Sequence, residues 1–91
     1  MYRIYPRQIK IARALKVKIA PSKVKNKKIA VYSLNNRKIC DIGDVRYLDY
    51  CQYLELYGRE VANKRKLAYW LRHRKDINYT CGFFSANILW S

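Results

Sequence analysis

No carboxylate occurs in the first forty residues of this chain; the first is Asp41, and the whole sequence holds only six. A nuclease-type centre that gathers acids around divalent metal therefore has very few residues to draw on. Histidine is scarcer still. His73 is the only one, set between Arg72 and Arg74, with no visible partners for general acid–base work. Glycine occurs at Gly43, Gly58 and Gly82 alone, which excludes a glycine-rich phosphate cradle. Cys40, Cys51 and Cys81 include no CxxC pair and cannot complete a zinc site with a lone histidine at the usual spacings. They read as buried thiols in a reducing compartment. No apolar run reaches the roughly 18 residues of a membrane-crossing helix. The opening stretch MYRIYPRQIKIARALK is too charged for a secretory leader. It could imitate an Arg-rich transit peptide, but patterned structure follows it directly. These absences argue against an enzyme, a bound metal or cofactor, and membrane insertion.

What the chain does hold is positive charge. Of 20 basic residues, twelve precede Asp41: Arg3, Arg7, Lys10, Arg13, Lys16, Lys18, Lys23, Lys25, Lys27, Lys28, Arg37 and Lys38. Residues 1–45 carry 12 basic and 2 acidic groups (+10) and residues 46–91 carry 8 and 4 (+4), which together make the net +14. Cations at this density repel one another. A polyanion that neutralises them removes that cost and gains entropy through released counterions. Disorder would be the simple reading of such charge, yet 51% of residues are hydrophobic and nine are tyrosine, unlike a basic tail. Ninety-one residues suit one basic domain, able to bury a little over roughly 60% of its unfolded surface.

Periodicity predicts an α+β chain: a small three-stranded antiparallel sheet, a short N-terminal helix, and a helical C-terminal half packed on the sheet. Residues 1–15 form the N-terminal arm and helix. Pro6 suits a first turn, and Ile9, Ala12 and Leu15 recur at helical spacing. Residues 16–43 form a β-meander. Leu15, Val17 and Ile19 alternate with Lys16 and Lys18 on a wet face; a second strand covers 29–34, Asn35-Asn36 makes a tight turn, and a third strand covers 37–42. Residues 44–75 are helical. Asp49 and Gln52 resemble a capping box, Gly58 breaks the chain, and a long helix runs from Arg59 to about Arg74. In that helix Tyr57, Val61, Leu67, Ala68 and Leu71 share an apolar arc opposite the stripes Arg59/Lys66/His73 and Arg65/Arg72. After a loop at Asp76-Ile77-Asn78, residues 76–91 end in an apolar segment expected to dock on the sheet, with Phe83, Phe84 and Trp90 in the core and Ser85 as a cap.

A cationic helix face or a lysine-rich turn is by itself usually only solvated surface. Here the turn Lys23–Lys28 coincides with Lys16 and Lys18 on an exposed strand face and with no nearby acid. Electrostatic attachment to phosphates asks only for many cations on one side. Tyr47, Tyr50, Tyr53, Tyr57, Tyr69 and Trp70 could stack on unpaired bases, though their helical spacing favours packing.

The segments VKIAPS, KKIAVY, RKICDIGDVRYLDY, YGREVANKRKLAYWLRHRKD and CGFFSANILW, with Gly43, Asp44, Tyr47, Asp49 and Tyr50 as the most specific group, then Arg72-His73 followed by Asp76 and the closing Ser85, Ile88, Leu89 and Trp90, carry a resemblance. From about Ile9 to Trp90 the chain resembles a family of small basic proteins of unknown function encoded by nucleocytoplasmic large (giant) DNA viruses of the mimivirus and phycodnavirus kind. The resemblance implies a viral protein and one compact domain; it assigns no activity and no catalytic residue. It implies a place in the virion or in the host cytoplasm at the viral factory, a reducing compartment.

The expectation is therefore a non-enzymatic, largely sequence-independent nucleic-acid-binding and condensing protein, its partner double-stranded viral DNA and possible further partners other virion proteins. Lys10, Arg13, Lys16, Lys18, Lys23, Lys25, Lys27 and Lys28 form the contact surface, and Arg59, Arg65, Lys66 and Arg72 extend it or make a second one. The alternative is a minor capsid or cement protein whose basic face meets an acidic shell and whose aromatics and tail Ile88-Leu89-Trp90 serve an interface. An RNA-associated factor is a third possibility.

Overall fold

The computed structural model describes residues 1–75 and 80–91, so the loop expected at Asp76-Ile77-Asn78 lies outside the described residues. The fold class is α+β, with helices α1 (Pro6–Ala14), α2 (Tyr50–Tyr57), α3 (Arg59–His73) and α4 (Thr80–Phe84) and strands β1 (Val17–Pro21), β2 (Ile29–Ser33) and β3 (Lys38–Ile42). Two units divide the chain, Met1–Arg46 and Tyr47–Ser91. Among the described residues no helix is long and apolar enough to cross a membrane.

In the first unit, Pro6 opens α1 where its missing N–H costs nothing. The Tyr5 N–H donates to Gln8 Oε1 (2.9 Å), and Gln8 Nε2 donates to the Tyr2 hydroxyl (2.8 Å), so this fully buried amide is satisfied at both ends. The helix closes with Lys16 N–H donating to the Arg13 carbonyl (3.0 Å) while Lys16 takes φ +61°. Contrary to the alternation pattern, Lys16 is thus a left-handed corner residue turning helix into strand, and not part of β1.

The strands pair as an antiparallel meander in the order β1-β2-β3. Register places Val17, Ile19, Ile29, Val31, Cys40 and Ile42 on one face and Lys18, Ala20, Ala30, Tyr32, Lys38 and Asp41 on the other. Val17, Ile29, Val31 and Ile42 are buried, each stabilising the fold by roughly 1.5–3 kcal/mol. Opposite Val31 and Tyr32 stand Cys40 and Lys38, so Ile39 is an extra, bulged residue. Residues three apart in a regular strand point to opposite faces. The bulge puts Lys38 and Asp41 on the same face, where they form an ion pair of 2.6 Å. The expected two-residue turn is a three-residue one: Asn36 N–H donates to the Ser33 carbonyl (3.0 Å), Asn36 takes φ +67°, and Ser33 N–H donates to the Arg37 carbonyl (2.8 Å).

In the second unit the capping box forms as expected. Gln52 N–H donates to Asp49 Oδ1 (3.1 Å) and Asp49 N–H donates to Gln52 Oε1 (3.0 Å). Gly58, at φ +88° and ψ 176°, ends α2 and starts α3 in a conformation nearly closed to other residues. The Tyr50 hydroxyl donates to Asn63 Oδ1 (2.8 Å), tying α2 to α3. A π-helical turn, Ser85–Leu89, continues α4. Within this unit the C-terminal segment packs on these helices: Trp90 stacks on Tyr69 (4.7 Å between centroids, 9° between planes), lies 6.1 Å from Tyr53, and accepts at its carbonyl from Trp70 Nε1 (2.9 Å). The Ser85 hydroxyl pairs with Tyr69 (3.1 Å) and caps no helix. The buried apolar residues here are Tyr50, Cys51, Ala62, Ala86, Ile88 and Leu89; of the three expected core aromatics, Phe84 and Trp90 are half-buried and Phe83 is exposed.

The long helix also faces the other way from expectation. Ala62 is its buried residue, with Lys66, Tyr69, Trp70 and His73 half-buried on the same side. Val61, Leu67, Ala68 and Leu71, the expected core arc, are exposed. Tyr69 and Trp70 offer larger rings than the leucines, and Trp90 and Ser85 receive them.

Candidate nucleic-acid interface

The connection between β1 and β2 is lysine-rich yet ordered. Ser22 N–H donates to the Lys28 carbonyl (3.0 Å), Val24 N–H to Ser22 Oγ (3.0 Å), and Lys27 N–H to the Val24 carbonyl (3.1 Å). Asn26 supplies the positive φ (+67°), and its carbonyl accepts from Val45 N–H (2.9 Å). The Ser22 hydroxyl donates to Asp41 Oδ1 (2.7 Å), fastening the loop to β3. With its backbone held, the loop presents Lys23, Lys25 and Lys27 as exposed side chains, so a ligand orders only side chains.

Lys28 behaves differently. It is 2% exposed, and its ammonium lies over the Tyr2 ring, 5.3 Å from the centroid. Strand alternation sends it to the side of Ala30 and Tyr32, where the N-terminal segment covers it. Lys28 is therefore withdrawn from the contact surface to which its neighbours assign it.

The other expected cations of this unit are exposed. Lys10 and Arg13 lie on the side of α1 opposite the buried Gln8 and Ala12. Lys16 occupies the helix–strand corner, and Lys18 Nζ donates to Asn36 Oδ1 (3.0 Å). Lys16 and Lys18 thus stand at one end of the sheet and Lys23, Lys25 and Lys27 at the other, about 13 Å apart along β1. Arg37, exposed beside Asn36, joins the first group. Its place next to the Asn35-Asn36 turn is the sequence signal for that exposure, and the expected contact surface does not include it.

Acids are closer to these lysines than the sequence suggests. Asp41, held by Lys38 and then by Ser22, has its carboxyl pulled below the usual range, and Lys38 is raised in turn by Asp41. Arg46 grips Asp44 through Nε (3.0 Å) and Nη2 (2.7 Å), lowering that carboxyl to about 2. The Lys27 charge also acts on both carboxylates. Even so, among the described residues none of Lys10, Arg13, Lys16, Lys18, Lys23, Lys25 and Lys27 is in an ion pair.

In the second unit, α3 exposes Arg59, Arg65 and Arg72. Arg65 lies over Tyr53 (5.6 Å), and the half-buried Lys66 lies over Tyr50 (5.2 Å). These two cations already rest on aromatic faces of α2, an attraction of roughly 0.5–2 kcal/mol each. Tyr50 is buried, while Tyr47 and Tyr57 are exposed. Cys51 is buried, Cys40 half-buried and Cys81 exposed, so the expectation of three buried thiols holds for the first alone; none forms a disulfide. Among the described residues no group of three or more His, Cys, Asp and Glu could hold a metal ion.

Comparison with known protein families, with curated proteins and with solved structures finds no match.

Proposed function

We propose that this is a non-enzymatic nucleic-acid-binding protein that attaches to duplex DNA by neutralising phosphates, with little reading of base sequence. One observation carries the proposal: among the described residues seven exposed cations of the Met1–Arg46 unit stand in no ion pair, while Asp41, Asp44, Asp49 and Glu60 are already engaged elsewhere. Lysines at the two ends of the sheet, about 13 Å apart, suit contact with phosphates on both sides of a groove. Arg59, Arg65 and Arg72 are further exposed cations for the same purpose. A long viral genome in a reducing compartment is the setting implied by the giant-virus resemblance, and condensation of that genome is the role we assign. The alternative of a capsid or cement protein draws on the apolar tail; Ile88 and Leu89 are buried and so are not offered to a partner.

The test is a salt titration of binding to random-sequence duplex. Engagement of seven phosphates sets the slope of log K against log[salt] at about −6. A slope near zero, or stronger binding to single-stranded RNA than to duplex DNA at the same salt, would overturn the proposal.

A further inference from the structure

We infer that the outward face of α3 docks an amphipathic helix of another protein, one whose apolar seam is bordered by Asp and Glu. This inference stands independently of nucleic-acid binding. Leu67 and Leu71, 62% and 60% exposed, are one turn apart and adjoin Ala68 and Val61 on the same arc. Scattered surface leucines are ordinary. Here the helix turns its aliphatic arc to solvent while Lys66 is turned inward onto Tyr50.

The charges around the arc select the occupant. At 100° per residue, Arg65 and Arg72 border it beside Val61, Arg74 borders it beside Leu67, and Lys64 stands between. The only acid among them is Glu60, 3.7 Å from Lys64. An apolar seam framed by cations matches a helix framed by carboxylates. A second copy of this chain fits poorly. It would bring a second +14, and one face of a 15-residue helix, about 22 Å long, falls well short of the ~800 Å² per partner typical of a stable dimer. A lipid surface also fits poorly, because the aromatic residues that anchor interfacial helices, here Tyr69 and Trp70, are turned toward Trp90.

The full chain is titrated by NMR with four probes: a synthetic helical peptide with a leucine seam and glutamate borders, the same peptide with lysine borders, a glutamate-bordered peptide with serine in the seam, and anionic phosphatidylserine vesicles. The expected result is binding of the first peptide alone, with amide shifts centred on Val61, Lys64, Leu67, Ala68 and Leu71. Leu67→Ser with Leu71→Ser should weaken it at least tenfold with the helical circular dichroism unchanged. Arg65→Gln with Arg72→Gln should weaken it several-fold and reduce its salt dependence. The inference is overturned if the serine-seam peptide binds equally well, if the double serine variant binds as the parent does, if only vesicles engage the leucines, or if the shifts instead follow protein concentration through self-association.

Discussion

The two units of this chain solve the same difficulty, an excess of cations, in opposite ways. In Met1–Arg46 an aliphatic sheet face supplies the core, and seven cations stay outside with no ion pair among the described residues. In Tyr47–Ser91 the inward side of α3 is aromatic, two cations fold back over tyrosine rings, and the aliphatic arc is left in solvent. Charge alone therefore does not locate a binding surface. Whether a cation is available depends on the ring or carboxylate that the fold brings beside it, and the β-meander provides few of either.

Lysine 28 breaks the contrast most sharply, because it is the one loop cation that the first unit treats as the second unit treats Lys66. Lys28→Glu should cost more than 3 kcal/mol, since it places a carboxylate in a buried site facing the Tyr2 ring. Lys27→Glu, one residue away, should cost under about 0.5 kcal/mol; chemical denaturation of both variants checks the pair. Trp90→Ala should destabilise by about 2–3 kcal/mol, less than a fully buried tryptophan, and should release the near-ultraviolet signature of the Trp90–Tyr69 stack. A smaller effect of opposite sign is expected at the helix–strand corner. Lys16→Gly relieves a left-handed residue and should raise stability by up to about 1 kcal/mol, at the loss of one contact cation. The smallest effect is one of pH. Asp41 is lowered in the fold, so its contribution is present above about pH 4, the unfolded value, and fades as pH falls through the folded one. Asp41→Asn should remove that part of the acid loss of stability and leave the unfolding curve above about pH 5 parallel to the parent's.

Several elements were legible in the sequence because their causes are local. Alternation marks β1, β-forming residues mark β2, Asp49 and Gln52 mark the start of α2, and Gly58 marks the break before α3. What escaped depends on contacts between distant residues. Helical periodicity shows that Val61, Leu67, Ala68 and Leu71 share an arc, but not which arc faces inward. Trp90, lying far along the chain, decides that by receiving Tyr69 and Trp70. The withdrawal of Lys28 depends on Tyr2 returning from the N-terminus. The bulge at Ile39, which pairs Lys38 with Asp41, leaves no compositional mark either. Of the expected site, Lys10, Arg13, Lys16, Lys18, Lys23, Lys25 and Lys27 keep exposed positions because helix faces, corners and turns are local features too.

The most direct measurement compares salt slopes of duplex binding for the parent, for Lys23→Gln/Lys25→Gln/Lys27→Gln, and for Arg59→Gln/Arg65→Gln/Arg72→Gln. If unpaired cations of the meander hold the phosphates, the lysine triple should flatten the slope by roughly 3, and the arginine triple, one of whose members rests on Tyr53, by less. Equal slopes for the parent and the lysine triple would contradict the account.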